Sequence, residues 1–225
     1  MCVKSVLLPV GRRKQMDKSD IAKKVKECID KSKKRNFKQS VEICVNFENV
    51  DMKQADNKLN ISVLLPKGRG KEINIGVFAD GDMNLQAKKL SKYVLDKVEL
   101  EKYVENRRNM RKFANSCYSF IAQADLMPLI GKKWGVVLAP RGKMPQSVPP
   151  SADLKQIFER LKNTVRIVSK KNPTVNAPVG TEDMSPSDIA ENIIAVINGI
   201  EMQISRDKFK SVYVKTTMSK PIRLL

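Results

Sequence analysis

The sequence of 225 residues predicts a mixed fold, α/β and α+β, in two domains, one of them built from both chain ends. Three observations predict it. Between residues 67 and 150 short apolar runs alternate with amphipathic helices, the pattern of a parallel sheet with right-handed crossovers. Before and after that stretch, alternating strands mix with amphipathic helices instead. The two junctions carry breaking signals, KGRGK at 67–71 and QSVPPS at 146–151. The economical arrangement is a discontinuous domain, 16–66 with 151–225, and a βαβ domain, 67–150, inserted into it. Two short chain crossings permit relative motion. Residues 1–15 read as a loose arm.

The elements follow in order. Ile21, Val25, Cys28 and Ile29 recur at helical spacing, with lysines on the other face. Asp17 or Ser19 suits the cap, and the helix is expected to stop near Arg35–Asn36. In SVEICVNF, Val41, Ile43, Val45 and Phe47 alternate with polar residues and Cys44, so a half-buried strand is predicted. NISVLLP reads as a second strand, antiparallel to the first. In the middle stretch, INIGVFAD, YVLD and CYSFIAQ are strand-like runs. MNLQAKKLSK reads as a helix after the first run, VELEKYVENRRNMRKFANS as one long charged helix after the second, and DLMPLIGKK as a short helix after the third. After the second junction, ADLKQIFERLKN shows one apolar helical face. TVRIVS and TVNAPVG read as a hairpin around Asn172–Pro173. Ser185 and Pro186 open a long helix with the expected cap chemistry. KSVYVKTTM is the last strand.

Composition narrows function. Hydrophobic residues at 41% and charged residues at 30% describe a globular chain. The 43 Lys+Arg against 24 Asp+Glu give +19. A fold this basic repels itself, so a polyanionic partner, nucleic acid first, is the natural reading. There is no histidine, which removes Ser-His-Asp and Cys-His catalysis and histidine metal sites. None of the 4 cysteines forms a CxxC pair, and free thiols are expected. No apolar run is long enough to cross a bilayer as a helix, so no membrane partner is expected. Nucleotide fingerprints are missing too. GRGKEI lacks the third glycine and precedes a strand, and no GxxxxGK[ST] occurs. Asp80 and Asp82 flank Gly81 after a strand, where a polar turn is the simpler reading. No enzyme activity, cofactor or metal is expected.

Four clusters remain. KGRGK and APRGKMP (139–145) each set Arg and Lys beside glycine, where backbone amides can approach a phosphate. A solvated turn explains them equally, and both readings stay open. KSKKRNFKQS (31–40) places cations at a helix C-terminus, which also suits the dipole. Phe37 at the helix–strand junction reads from composition as core, followed by Ser40 and Glu42. The last cluster is KTTMSK (215–220). Aromatics at 5% leave few platforms for stacking splayed bases. Structured RNA instead shows a shallow groove of 2′-hydroxyls and sugar edges. Thr216, Thr217 and Met218 suit that surface, with lysines for phosphates.

From about Met16 onward the chain resembles the large-subunit ribosomal protein L-one family in its archaeal and eukaryotic form. The resemblance is carried by KKRNFKQSVE, LLPKGRGKEI, FIAQADLMPLIGKKWGVVLAPRGKMPQSVPP, VGTEDMSPSDIAENI and SVYVKTTM. It implies a split two-layer α+β domain with an inserted Rossmann-like three-layer αβα domain. It implies a cytoplasmic structural constituent of the large ribosomal subunit, a monomer off the ribosome. Its partner is structured rRNA, with which it forms the mobile stalk beside the tRNA exit site, next to tRNA. Several prokaryotic members also bind their own mRNA and repress its translation. The alternative is a dedicated RNA-binding repressor that does not reside on the ribosome. The RNA-contacting positions it implies are Asn36, Phe37, Ser40, Glu42, Thr216, Thr217 and Met218, with Ser211 and Lys171 as weaker candidates. On these grounds Phe37 moves from core to contact. One departure stands out: Ser219 and Lys220 occupy the usual Gly-Pro. A glycine there allows an unusual φ or a close backbone approach to RNA. If strain is required, serine costs about 1–3 kcal/mol, and Ser219→Gly is expected to tighten RNA binding, the alternative being that Ser219 and Lys220 add contacts.

Overall fold

A computed structural model describes residues 17–52, 54, 57–150, 152–169 and 171–225; the arm at 1–15 lies outside them. The alternation in SVEICVNF builds β1 (Ser40–Phe47), with Val41, Ile43, Val45 and Phe47 buried. Two helices cover this face. From α1 (Lys18–Asp30) come Ile21, Val25 and Cys28. From α8 (Pro186–Glu201) come Ile189, Ile193, Val196 and Ile200. Each such side chain contributes about 1.5–3 kcal/mol when fully buried. Helix α1 ends at Asp30, short of the expected Arg35–Asn36, so the basic segment after it is loop. At the start of α8, the Ser185 hydroxyl accepts the Asp188 amide and Pro186 takes the first helical position.

β1 is a central strand. It pairs antiparallel with β8 (Thr174–Thr181) on one side and β9 (Phe209–Thr216) on the other, and β10 (Ile222–Arg223) adds beyond β9. Pro178, which lacks an amide hydrogen, sits on the outer strand β8, where it is tolerated. Because both edges of β1 are occupied, β2 (Asn60–Leu64) cannot pair with it as expected. It pairs instead with β7 (Thr164–Val168), which in turn does not form the expected hairpin with β8. The Ser169 amide donates to Leu59 O at 2.9 Å and the Leu59 amide to Ser169 Oγ at 2.8 Å, closing one end of this ribbon. Val165 and Ile167 of the ribbon join the core under β1.

The middle of the chain forms a parallel sheet of β3 (Ile75–Phe78), β4 (Val94–Leu95), β5 (Ser119–Gln123) and β6 (Gln146–Val148), in the order β4-β3-β5-β6. Its central strands are buried on both faces, as parallel strands are. On one side Ile75, Val77 and Ile121 meet Met83 and Ala87 of α2 (Gly81–Leu90) and Leu154 and Phe158 of α7 (Leu154–Asn163). On the other side Phe78 and Phe120 stack at 5.4 Å against Trp134. The covering helices there are α3 (Lys97–Glu105), α4 (Arg107–Ser116), α5 (Met127–Lys133) and α6 (Gly135–Leu138).

Three readings change here. The long charged helix is two, α3 and α4, because the Asn106 side chain accepts the amides of Arg108 and Asn109 and starts a new helix. QSVPPS is more than a break, since its first three residues are β6. Helix α7, read with the terminal segments, packs its apolar face on the middle sheet.

Candidate nucleic-acid interface

The register of β1 and β9 sets Val41 opposite Thr216 and Glu42 opposite Lys215. Segments 36–42 and 211–218, distant in sequence, therefore meet edge to edge. Thr217 extends the ladder by one step. Its amide donates to Ser40 O at 3.0 Å. Its hydroxyl donates to the same oxygen at 3.2 Å and accepts the Ser40 amide at 3.1 Å. The chain then turns. The Ser219 amide donates to Thr216 O at 3.3 Å, and the Ser219 hydroxyl accepts the Thr216 amide at 3.0 Å. Met218, at the tip, is 60% exposed.

Beneath the tip lies Gln39, which sequence reasoning missed. Running the β1 alternation back from Val41 puts it on the core face, and it is fully buried. A buried amide must be satisfied. Its Nε2 donates to Ser32 Oγ at 2.9 Å, Lys33 O at 3.0 Å and Glu182 Oε2 at 3.3 Å. Its Oε1 accepts from Thr216 Oγ1 and the Met218 amide, both at 3.3 Å. Its backbone exchanges two bonds with Glu182, the amide donating to Oε1 and the carbonyl accepting the Glu182 amide, each at 3.1 Å. One side chain thus ties the loop after α1, the turn after β9 and the turn after β8. An amide on the apolar side of a strand pattern was the signal that could have found it.

The predicted site residues fall into groups. Asn36 is exposed, and Phe37, at 50% exposure, is not core. Ser40, Glu42 and Ser211 share the sheet face turned away from the core by alternation, but Ser211 itself is buried. Glu42 pairs with Lys215 at 3.4 Å, and the Ser211 hydroxyl accepts the Asn46 side-chain amide at 3.0 Å. Ser211 lies five residues before Thr216 along β9, about 17 Å at strand rise. Lys171, exposed just before β8, sits at that same far end. Thr217 and Met218 stand beside Phe37's loop. Thr216 is different: its side chain is on the core face, within bonding distance of Ser32 Oγ at 3.0 Å and Gln39. It holds the tip together and does not line it. Ser219 brings no strain either, because Asn49 is the only described non-glycine residue with positive φ. The strain that would make Ser219→Gly tighten binding is therefore absent.

Cations surround the tip. Lys33, Lys34 and Arg35 are exposed. Lys38 donates to Asp183 at 2.8 Å, and that hydrogen bond, with the attraction of the carboxylate, holds its ammonium above the ordinary lysine value.

The model of the ribosomal protein L1p/L10e family matches residues 29–220. The chain belongs to this family. The L1 family is one of structural ribosomal proteins and not of enzymes. Among similar relatives is the large ribosomal subunit protein uL1 of Pyrococcus abyssi, 46% identical over 215 residues, covering 94% of this chain and 98% of the relative. Its counterpart in Methanobrevibacter smithii is 43% identical over 92% of this chain and 99% of the relative. That of Methanosarcina acetivorans is 41% identical over 93% of this chain and all of the relative. The matched L1 span contains both halves of the tip, from the loop after α1 to Lys220.

Proposed function

We propose that the chain is a cytoplasmic structural constituent of the large ribosomal subunit and binds structured rRNA on the tip formed by residues 36–42 and 216–218. The observation that carries this is the joining of two remote segments by Gln39 and by the Ser40–Thr217 bonds. That joining leaves Phe37 and Met218 projecting among exposed lysines. A shallow RNA minor groove accepts such apolar tips, while the Glu42 carboxylate and Thr217 hydroxyl offer partners to 2′-hydroxyls. Lysines neutralise phosphates and set affinity more than selectivity. The relatives named large ribosomal subunit protein uL1 support the ribosomal assignment over a free-standing repressor.

In this reading the chain has two domains. The split one comprises α1, β1, β2 and β7–β10 with α8. The inserted Rossmann-like one runs from about residue 67 through α7, so that the second crossing falls near 163–164 rather than at 150. The inserted domain moves as a body, and the assembly forms the stalk beside the tRNA exit site. Binding of a like-shaped element in its own mRNA gives autorepression.

Filter binding to the rRNA stalk fragment tests the site. Phe37→Ala and Met218→Ala are each expected to weaken binding about tenfold, near 1.4 kcal/mol, with unchanged thermal unfolding. If about six phosphates are neutralised, affinity falls about a thousandfold between 50 and 200 mM salt. Wild-type affinity indifferent to salt, or to both substitutions, would overturn the reading. Absence of the protein from purified large subunits would favour the repressor.

A further inference from the structure

The two glycine-flanked basic loops, 67–71 and 139–145, lie outside the tip, yet they meet at Tyr118. The Arg69 guanidinium carbon stands 4.1 Å from the Tyr118 ring centre, and its buried Nη1 has no hydrogen-bond partner. Tyr118 lines a cleft of 530 Å³ between the β2–β7 ribbon and the edge of the middle sheet. Arg141, Lys143 and Arg166 line it too, with Asn60 and Gln146, and among the described residues no carboxylate does.

The three cations are held in place by neutral acceptors. Arg166 donates from Nε to Asn60 Oδ1 at 3.0 Å and from Nη1 to Gly142 O. Gly142 adopts φ 65°, a turn that glycine accepts readily. Arg141 donates to Asn115 Oδ1 at 3.1 Å and Val137 O at 2.9 Å. Lys143 donates to Ala114 O at 2.8 Å and Cys117 O at 2.6 Å. These bonds leave further guanidinium N–H donors and fix where they point. Burial holds the Lys143 ammonium below the ordinary lysine value, against an opposite pull from Cys117, with repulsion from Arg141 the smallest of the three influences. A bound dianion reverses that balance.

We propose that this cleft is a phosphate-binding site, separate from the tip, whose forked arginine donors take phosphoryl oxygens. Arginine presents parallel N–H groups that match such oxygens. Because Arg166 and Asn60 belong to the ribbon and Arg141 and Lys143 to the turn that leads from α6 into β6 of the middle sheet, an occupant bridges the two and holds their mutual placement. The phosphate comes either from the backbone of a bound RNA or from a free polyphosphate. Only the first source rests on the function proposed above.

Two measurements on the full chain decide. Inorganic pyrophosphate is titrated into 15N-labelled wild-type protein while the arginine Nε–Hε resonances are followed. Saturable shifts of Arg141 and Arg166, not reproduced by chloride at equal ionic strength, are expected. Separately, the salt dependence of binding to the rRNA stalk fragment is compared between wild type and the double variant Arg141→Gln/Arg166→Gln. Loss of two phosphate contacts lowers the slope of log K against log salt by about 1.5. Saturable shifts with the lowered slope assign the site to the RNA backbone. Saturable shifts with an unchanged slope assign it to a free phosphate. No saturable shift in the wild-type titration overturns the proposal, whatever the variants do, and it needs no variant to fold. Failure of the wild type to bind the rRNA at all would instead sink the assignment of the tip.

Discussion

Gln39 occupies a position where the alternation of β1 expects an apolar side chain, and its amide joins three turns. Gln39→Leu keeps approximate volume but strips the Met218 amide and the Thr216 hydroxyl of one acceptor. Such a loss is expected to destabilise by about 2–4 kcal/mol, read as a lower urea midpoint, and to weaken rRNA binding as the tip loosens. At Ser219 the expected sign is opposite to the one strain relief would give. Ser219→Gly removes the hydroxyl that accepts the Thr216 amide and adds backbone freedom to the unfolded chain. A loss of about 1 kcal/mol in stability is expected, with rRNA affinity unchanged or lower. Tighter binding in a filter assay would refute it. Residue chemistry was legible in the sequence where the pattern was followed far enough. Thr216 and Gln39 both fall on the core face by simple alternation. Phe37 was not legible from composition, because an aromatic at a helix–strand junction is core or contact depending on where α1 stops, five residues earlier than its periodicity suggested.

At the scale of elements, periodicity located the strands and most helices but not their partners. β2 and β7 were both recognised as strands, yet each was given the wrong neighbour, since local alternation says nothing about which edges are free. Asn106 was read as one more polar residue in a long helix, while its backbone amide, donated to Tyr103 O, closes one helix and its side chain opens the next. Packing between elements adds constraints that no local pattern shows. Gly76 in β3 lies against the Phe120 ring, and a β-carbon there would stand 2.4 Å from two ring carbons. That ring is buried and stacked on Phe78, so it cannot swing away. Gly76→Ala is expected to destabilise by about 1–3 kcal/mol, the range for overpacking, visible as a lower melting temperature. A melting temperature equal to wild type would mean that β5 yields more easily than its burial implies.

At the scale of the molecule, the long helix α8 reaches the turn at residues 67–68, the first chain crossing of the proposed two-domain division, through Asn192. This buried side chain donates to Gly68 O and Val179 O, both at 2.8 Å, and accepts the Lys67 amide at 3.1 Å. Asn192→Ala leaves the Lys67 amide and two carbonyls, Gly68 O and Val179 O, without this partner. It is expected to cost about 2–3 kcal/mol and to speed amide exchange at Lys67 well beyond the change seen in β1. Equal acceleration at both places would mark Asn192 as a general core residue with no special hold on the crossing.

The sequence by itself determined the class of fold, the basic character that calls for a polyanion, and the alternation that separates core from solvent in each strand. These depend on composition and on neighbours along the chain. Tertiary structure alone decided which strands pair, that α7 lies on the middle sheet, that Gln39 binds three turns together, and that two basic loops meet at Tyr118. Most of these depend on groups far apart in sequence, as Gln39 and Glu182 are, or on which edge is already occupied. Hydrogen-bond satisfaction and close packing settle such matters only when the whole chain is in place.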